Sequence, residues 1–496
     1  MTQTVAVTDV MARSGVAFGT SGARGLVTAM TDTVCFTYTC AFLQHMAEIG
    51  QFAPGTGVAI AGDLRPSSPR IMAACRAAIA HMGGELVDCG FVPSPAVAAV
   101  GFARAIPSLM VTGSHIPDDR NGIKFNRADG EVLKPDEAAI RAQSVDLPDI
   151  FDTHGMLHDA PAAPALADAA TPYVARYVDF FGAEALKDLK LGVYQHSAVG
   201  RDIVAQIVEA LGAEVVLLGR SEKFIPVDTE AVRPEDVTLG KEWARDHGLD
   251  AILSTDGDSD RPLLADETGA WMRGDVLGIL CAQALKLDAV ATPVSSNTAL
   301  EASGQFAHVR RTRIGSPFVI EAMNALLADG LAACGYEANG GFLLGSDVKA
   351  NGRTLGALPT RDAVLPMLAV LADARSKGLA LSALQAQLPE RYTHSDRLKD
   401  YPTAHSQALI AGLEAGADDA VLGRLTELFG KLAGKAVAFD KTDGLRTTFA
   451  DGDIIHLRPS GNAPELRVYT ESDTAARAAS LNADALDLIR NLPAPD

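Results

Sequence analysis

At 496 residues the chain is too long for one hydrophobic core, and at roughly 150 residues per domain it divides into three or four. Apolar residues make up 48% and charged residues 21%, without a long polar tract, which excludes a disordered chain. The formal net charge of −19 argues against nucleic acid and anionic membrane as partners, so a small anionic ligand would need a local concentration of basic groups.

The cysteines at 35, 40, 75, 89, 281 and 334 are scattered without a CxxC pair, and no basic segment followed by an apolar one opens the chain. A reduced, cytoplasmic setting is expected. No uncharged apolar run approaches the roughly 18–20 residues that span a bilayer, and the stretch Cys89–Ala103 is broken by Pro93 and Pro95.

The first informative segment is FGTSGARG, from Phe18 to Gly25. Its glycines resemble a dinucleotide loop, but no strand is expected before it and the GxG start is missing, so we read a flexible loop whose backbone and Arg24 face an anion. A helix over Thr31–Ile49 and a buried strand over Gly57–Asp63 follow. Ser68 and Pro69 fall in cap and first-turn positions of a second helix, with Ile71, Met72, Cys75, Ile79 and Met82 on its apolar face and Gly83 stopping it. The run Leu109–Val111 then reads as a buried strand opening into an exposed loop, VTGSHIPDDRNGIKFN, which carries Ser114, His115 and, past a polar turn, Lys124. A nucleophile or phosphate carrier would sit there, and a plain Gly/Ser/Asn/Asp turn is the alternative.

An Ala/Pro-rich linker over Thr153–Ala170 separates a second unit with the same strand and helix grammar: strands at Leu191–Gln195, Glu214–Leu218 and Asp250–Leu253 and a helix bearing Ile203, Val204, Ile207, Val208 and Leu211. It delivers STDGDSDRP, in which Asp256, Asp258 and Asp260 alternate. Three carboxylates this close repel one another without a cation, and hard divalent cations take oxygen ligands. A calcium loop ending at Glu267 is disfavoured, because Arg261 stands where the sixth-position glycine is needed. A solvated acidic turn is the remaining alternative. In a third unit, beginning near Arg273, Ser316 and Pro317 start a helix and the loop YEANGG presents Glu337 and Asn339, which can bracket adjacent sugar hydroxyls. The last hundred residues read as α+β, with strands Ile454–Leu457 and Leu466–Tyr469 flanking RPSGNAPE. Arg458, Ser460, Asn462 and Arg467 there are suited to a phosphate monoester, and a terminal helix completes the domain.

Together and in this order, VTGSHIPDDRNGIKFN, DGDSDR, YEANGG and RPSGNAPELR, with FGTSGARG ahead of them, resemble the hallmark loops of the α-D-phosphohexomutase superfamily. GTSGARG, GYEANGGFLLGSD and LPTRDAVLP point within it to the bacterial phosphomannomutase branch, which feeds GDP-mannose and surface polysaccharide synthesis. The resemblance implies an α/β fold: three similar α/β domains with mixed sheets, expected at 1–165, 166–272 and 273–393, plus a smaller α+β C-terminal domain at 394–496, around a central cleft. It implies that Ser114 carries a phosphoryl group and that Asp256, Asp258 and Asp260 hold one Mg²⁺ with an oxygen of the phosphoserine. Arg24, His115, Lys124 and Arg261 would line the transfer site, with Lys124 or His115 handling the proton. Glu337 and Asn339, with Gly315 nearby, would read the sugar, and Arg458, Ser460, Gly461, Asn462 and Arg467 would clamp the far phosphate.

The implied activity is interconversion of mannose 6-phosphate and mannose 1-phosphate, with a hexose 1,6-bisphosphate as intermediate and activator, by a monomer or homodimer. A phosphoglucomutase or dual-specificity enzyme, a sugar-phosphate phosphatase and a non-catalytic sugar-phosphate binder are the alternatives. The chain departs from the usual pattern at Asn339 and Gly341, where serine and histidine are common, at Ser316, where histidine is common, and at Ala463, where glutamate is usual.

Overall fold

The computed structural model describes residues 3–19, 22–460 and 464–492. Its chain forms two compact units, one of Met1–Leu287 with Met323–Gln385 and the other of Asp288–Ala322 with Ala386–Asp496.

In the first unit the N-terminal sheet is mixed. Strand Gly57–Gly62 runs parallel to Glu85–Asp88 and Ser108–Val111, because the helices Ser68–His81 and Ser94–Arg104 connect them as crossovers. Strand Arg120–Arg127 returns antiparallel to Ser108–Val111, and Gly22–Leu26 pairs antiparallel with it in turn. Helix Asp32–Glu48 covers the sheet, with Phe42 stacked on Phe125 at 4.8 Å between ring centroids. Burial of side chains of this size contributes about 1.5–3 kcal/mol each.

Three expectations change here. Part of FGTSGARG is sheet and not flexible loop: Gly22–Leu26 is a strand, and Ala17–Phe18 is a short strand. Gly22 serves close pairing, since a Cβ there would lie 2.0 Å from the carbonyl oxygen of Ile123. The serine loop is exposed only at its tip, Pro117 to Arg120, for Ser114 is fully buried beneath Arg65 and the acidic loop. Finally, Ser68 is the first helical residue rather than the cap, and its hydroxyl donates to Asp63 Oδ1 at 2.5 Å instead of closing its own helix.

The second domain has strand Lys190–Tyr194 between the parallel strands Glu214–Leu218 and Ala251–Thr255, with Pro262–Ala265 antiparallel at the edge. Thr255 pairs with Pro262, so Asp256–Arg261 is the tight turn of a hairpin whose flanking strands are buried. Beyond it, helices Gly274–Ala284 and Val364–Lys377 pack together beside the antiparallel strands Ala333–Tyr336, Phe342–Leu344 and Leu358–Asp362.

The second unit contains the parallel strands Ala289–Pro293 and His308–Thr312. It also holds an antiparallel five-stranded sheet in the order Tyr392–Leu398, Leu466–Ser472, Ile454–Pro459, Leu445–Phe449, Ala436–Asp440. Helices Asp418–Ala433 and Ala475–Arg490 turn Val421, Leu425, Phe429, Leu481, Ala485 and Ile489 into its core. Among the described residues no helix is long and apolar enough to cross a membrane.

Candidate active site

The first unit gathers the serine loop, the acidic turn and strand Arg120–Arg127 into one buried cluster. Ser114 follows strand Ser108–Val111 and sits at φ 57°, a left-handed conformation that is uncommon for a residue with a side chain. Its N–H donates to Thr112 Oγ1 at 2.7 Å and its Oγ donates to Asp256 Oδ2 at 2.6 Å.

Asp256, Asp258 and Asp260 each present a carboxylate oxygen, all within 4.8 Å of one another. Burial, and then the charges of Asp258 and Asp260, push the Asp256 carboxyl well above its ordinary range. Against a burial that would raise it, Lys124 holds Asp258 well below that range. The ammonium of Lys124 lies 2.6 Å from Asp258 Oδ2 and 2.5 Å from Asp260 Oδ2, and Ser94 Oγ donates to Asp258 Oδ2 at 2.6 Å. Asp258 Oδ1 and Asp260 Oδ1 are buried without a hydrogen-bond partner. Three carboxylates and only one ammonium between them, two orphaned oxygens and no thiolate or imidazole make a donor set that could hold a hard divalent cation.

Basic groups surround the cluster. Arg261 Nη1 donates to His115 Nδ1 at 2.7 Å, and burial followed by Arg261 pushes His115 down to about 3. The ring is therefore neutral, with its proton on Nε2, which faces Asp228 Oδ2 at 3.9 Å. Arg24 reaches the cluster from strand Gly22–Leu26, whose register sets Gly22 opposite Lys124 and Arg24 opposite Gly122. Burial, then Arg261, brings Arg24 down to about 10, and its guanidinium has no hydrogen-bond or ion-pair partner among the described residues. A half-buried cation left unpaired beside other cations is suited to an anion.

The YEANGG loop belongs to the same unit. Asn339 Oδ1 accepts from the Gly341 N–H at 3.0 Å, and Thr229 Oγ1 donates to the Asn339 carbonyl at 2.7 Å, so the loop is fixed. Glu337 lies within electrostatic reach of Arg261 and Arg361, and its carboxylate has no hydrogen-bond or ion-pair partner among the described residues.

The remaining expected residues lie in the second unit. Arg458 Nε pairs with Asp443 Oδ2 at 2.8 Å, and that oxygen also accepts from the Ile314 N–H at 2.9 Å, one residue before Gly315. Ser460 is buried, and its N–H donates to the Glu465 carbonyl at 2.9 Å. Arg467 faces Arg458 across the strand pair. Gly461 and Asn462 lie outside the described residues.

Several structural partners escape the sequence reading. Arg65 and Asp63 hold the serine loop, and Arg361 bridges Glu131 at 3.4 Å and Asp260 Oδ2 at 3.5 Å. An acidic residue ending a buried strand with an arginine two positions on was the available signal for the first pair.

Four consecutive family models match the chain: the phosphoglucomutase/phosphomannomutase alpha/beta/alpha domains I, II and III at residues 15–146, 171–269 and 273–392, and the C-terminal domain at 413–488. The chain belongs to the phosphoglucomutase/phosphomannomutase family. A phosphomannomutase of Salmonella muenchen is 46% identical to this family member over 97% of each chain. A phosphomannomutase of Sinorhizobium fredii is 45% identical over 96% of this chain and 99% of its own. The fold is shared with a phosphoglucomutase/phosphomannomutase family protein from Burkholderia thailandensis, at a TM-score of 0.72 and 20% identity, covering 99% and 100% of the two chains. The four-domain α/β phosphohexomutase architecture with mixed sheets is thus that of the present chain.

Proposed function

We propose that this protein is a phosphomannomutase, interconverting mannose 6-phosphate and mannose 1-phosphate through a phosphoserine at Ser114 and a hexose 1,6-bisphosphate. The observation that carries the reading is the buried Ser114 hydroxyl, hydrogen-bonded to Asp256 of a carboxylate triad and set among Arg24, Arg261 and Lys124. The two relatives at 45–46% identity that bear the name phosphomannomutase support the choice of sugar.

Asp256, Asp258 and Asp260, with an oxygen of the phosphorylated Ser114, would hold Mg²⁺. That ion, when bound, would neutralise charge on the phosphoryl oxygens. The protein's own groups do the positioning. Arg24 and Arg261 face the anionic phosphoryl group, and as the bond from phosphorus to Ser114 Oγ breaks, one to the sugar hydroxyl oxygen forms. The hydroxyl proton must reach Ser114 Oγ. We assign its relay to Lys124, because His115 Nδ1 already accepts from Arg261 and its pKa is too low for a base at neutral pH. Glu337 and Asn339 would accept from and donate to the sugar hydroxyls. Arg458, Ser460, Gly461, Asn462 and Arg467, with Gly315, would take the phosphate that does not react. The intermediate would then turn over and return its other phosphate to Ser114. We further infer a cytoplasmic enzyme acting as a monomer or homodimer on GDP-mannose supply.

A coupled assay comparing mannose 1-phosphate, glucose 1-phosphate and glucosamine 1-phosphate, with Mg²⁺ and a bisphosphate activator, tests the reading. Mannose 1-phosphate is expected to give the highest kcat/KM. A clear preference for glucosamine 1-phosphate would overturn the choice of substrate, and release of free phosphate without mutase product would replace the mutase by a phosphatase.

A further inference from the structure

Arg65 is one of the largest fully buried side chains, and nothing in the transfer chemistry above employs it. It uses all five of its N–H donors. Nε donates to Asp63 Oδ2 at 3.0 Å, Nη1 to the carbonyls of Pro117 and Arg120 at 2.9 and 3.1 Å, and Nη2 to those of Ser114 and Ile116 at 2.9 and 2.6 Å. Four carbonyls of one turn, Ser114 to Arg120, therefore converge on a single planar cation. A buried carbonyl left without a donor costs about 1–3 kcal/mol, so the guanidinium holds the turn together, adding to the turn's own bond from the Arg120 N–H to the Pro117 carbonyl at 3.2 Å. Its guanidinium carbon lies 4.0 Å from the centroid of Phe224, which belongs to the second domain. Gly113 makes room for it: a Cβ there would lie 2.7 Å from the guanidinium carbon.

Asp63 reaches Ser114 by a second route. The carboxylate oxygen that accepts from Arg65 Nε also accepts from Thr112 Oγ1 at 2.8 Å, and Thr112 Oγ1 in turn accepts the Ser114 N–H at 2.7 Å. Both peptide groups of Ser114 are thus traced to one carboxylate through one intervening residue each. This matters because Ser114 is left-handed, a conformation that costs of order 1 kcal/mol or more and persists only where its surroundings enforce it.

Resting on the phosphoserine reading above, we propose that Arg65 and Thr112, both anchored on Asp63, are positioning residues that hold Ser114 in its left-handed conformation and aim its Oγ at the acidic triad. Neither touches the reacting atoms. Lysine at 65 would keep the charge beside Asp63, but three N–H groups on one nitrogen do not span four carbonyls. Misplacement of a reacting atom by about 1 Å costs about 10²-fold in rate.

The test uses Arg65→Lys and Thr112→Val in the full chain, the second removing one hydroxyl at constant volume. Three quantities are read: thermal midpoint, the split between kcat and KM for mannose 1-phosphate, and the single-turnover rate at which hexose 1,6-bisphosphate phosphorylates Ser114, followed by intact mass. Each folded variant is expected to keep its KM and to lose about 10-fold or more in kcat and in phosphorylation rate. A folded variant of either kind with wild-type kcat, or with a raised KM at wild-type kcat, overturns the positioning role. If Arg65→Lys does not fold, Thr112→Val decides by the same criteria. Absence of mutase turnover in the wild-type protein would instead defeat the functional reading, which separates the two failures.

Discussion

Replacing Asp256 by asparagine separates what the acidic turn costs the fold from what it does for a ligand. The three carboxylates lie within 4.8 Å of one another, and at an effective dielectric of about 20 two charges at that distance repel by about 3.5 kcal/mol. Lys124 offsets part of this for Asp258 and Asp260, whereas Asp256 has no ammonium at contact distance and its carboxyl is pushed well above the ordinary range. Asparagine keeps an acceptor for the N–H groups of Asp260 and Arg261, both 3.2 Å from Asp256 Oδ1. The metal-free Asp256→Asn protein should therefore match or exceed wild type in stability, by up to about 1–3 kcal/mol once the offset is allowed for. With Mg²⁺ the order reverses. Wild type should gain about 2.7 kcal/mol at a hundred times its dissociation constant, and the variant much less at the same concentration. Thermal unfolding in EDTA and across a Mg²⁺ titration measures both. A variant that is less stable than wild type in EDTA and still responds to Mg²⁺ at wild-type concentrations would refute the argument.

Other consequences can be checked independently. Ser114→Ala should abolish mutase turnover by several orders of magnitude while still binding mannose 1-phosphate by calorimetry. Arg24 gives up no protein partner on removal, so Arg24→Ala should leave the thermal midpoint unchanged or raised while lowering kcat/KM by about 10²-fold, as loss of a charge-stabilising donor does. His456 is buried, its Nε2 donating to the Asp443 carbonyl at 2.6 Å, and burial pushes it down to about 4 from 6.5. A histidine depressed on folding contributes nothing unfavourable above 6.5, and stability is lost as pH falls from 6.5 to 4. The loss reaches about 3 kcal/mol, and urea midpoints at pH 7.5 and 4.5 should converge in His456→Gln.

The parts of the site that were legible in the sequence are contiguous ones. Asp256, Asp258 and Asp260 announce themselves because three carboxylates in five residues need an explanation at any level, and the serine loop follows an apolar run whose end is plain from pattern alone. What escaped is held by partners distant in sequence. Arg65 meets Ser114 49 positions on, Glu131 meets Arg361 230 positions on, and no periodicity reports such contacts. FGTSGARG was misread for another reason. Its glycines looked like freedom, yet Gly22 leaves out a side chain where strand Gly22–Leu26 lies close against Ile123 and Lys124, and Gly25 leaves one out against Val16. The burial of Ser114 escaped for the same reason as Arg65, since the groups that cover it arrive from elsewhere in the chain.

Asp443 carries a consequence for how the sugar-phosphate end of this protein can change over evolutionary time. One carboxylate oxygen serves the Ile314 N–H and Arg458 Nε together, so the turn before Gly315 and the RPSGNAPE loop share an anchor. Substitutions in the two loops should be epistatic, departing from additivity by about 0.5–3 kcal/mol where they act through this oxygen. A lineage adapting to a different phosphosugar would be expected to alter both loops in step, and replacing either one alone with that of a relative should cost more than exchanging the pair.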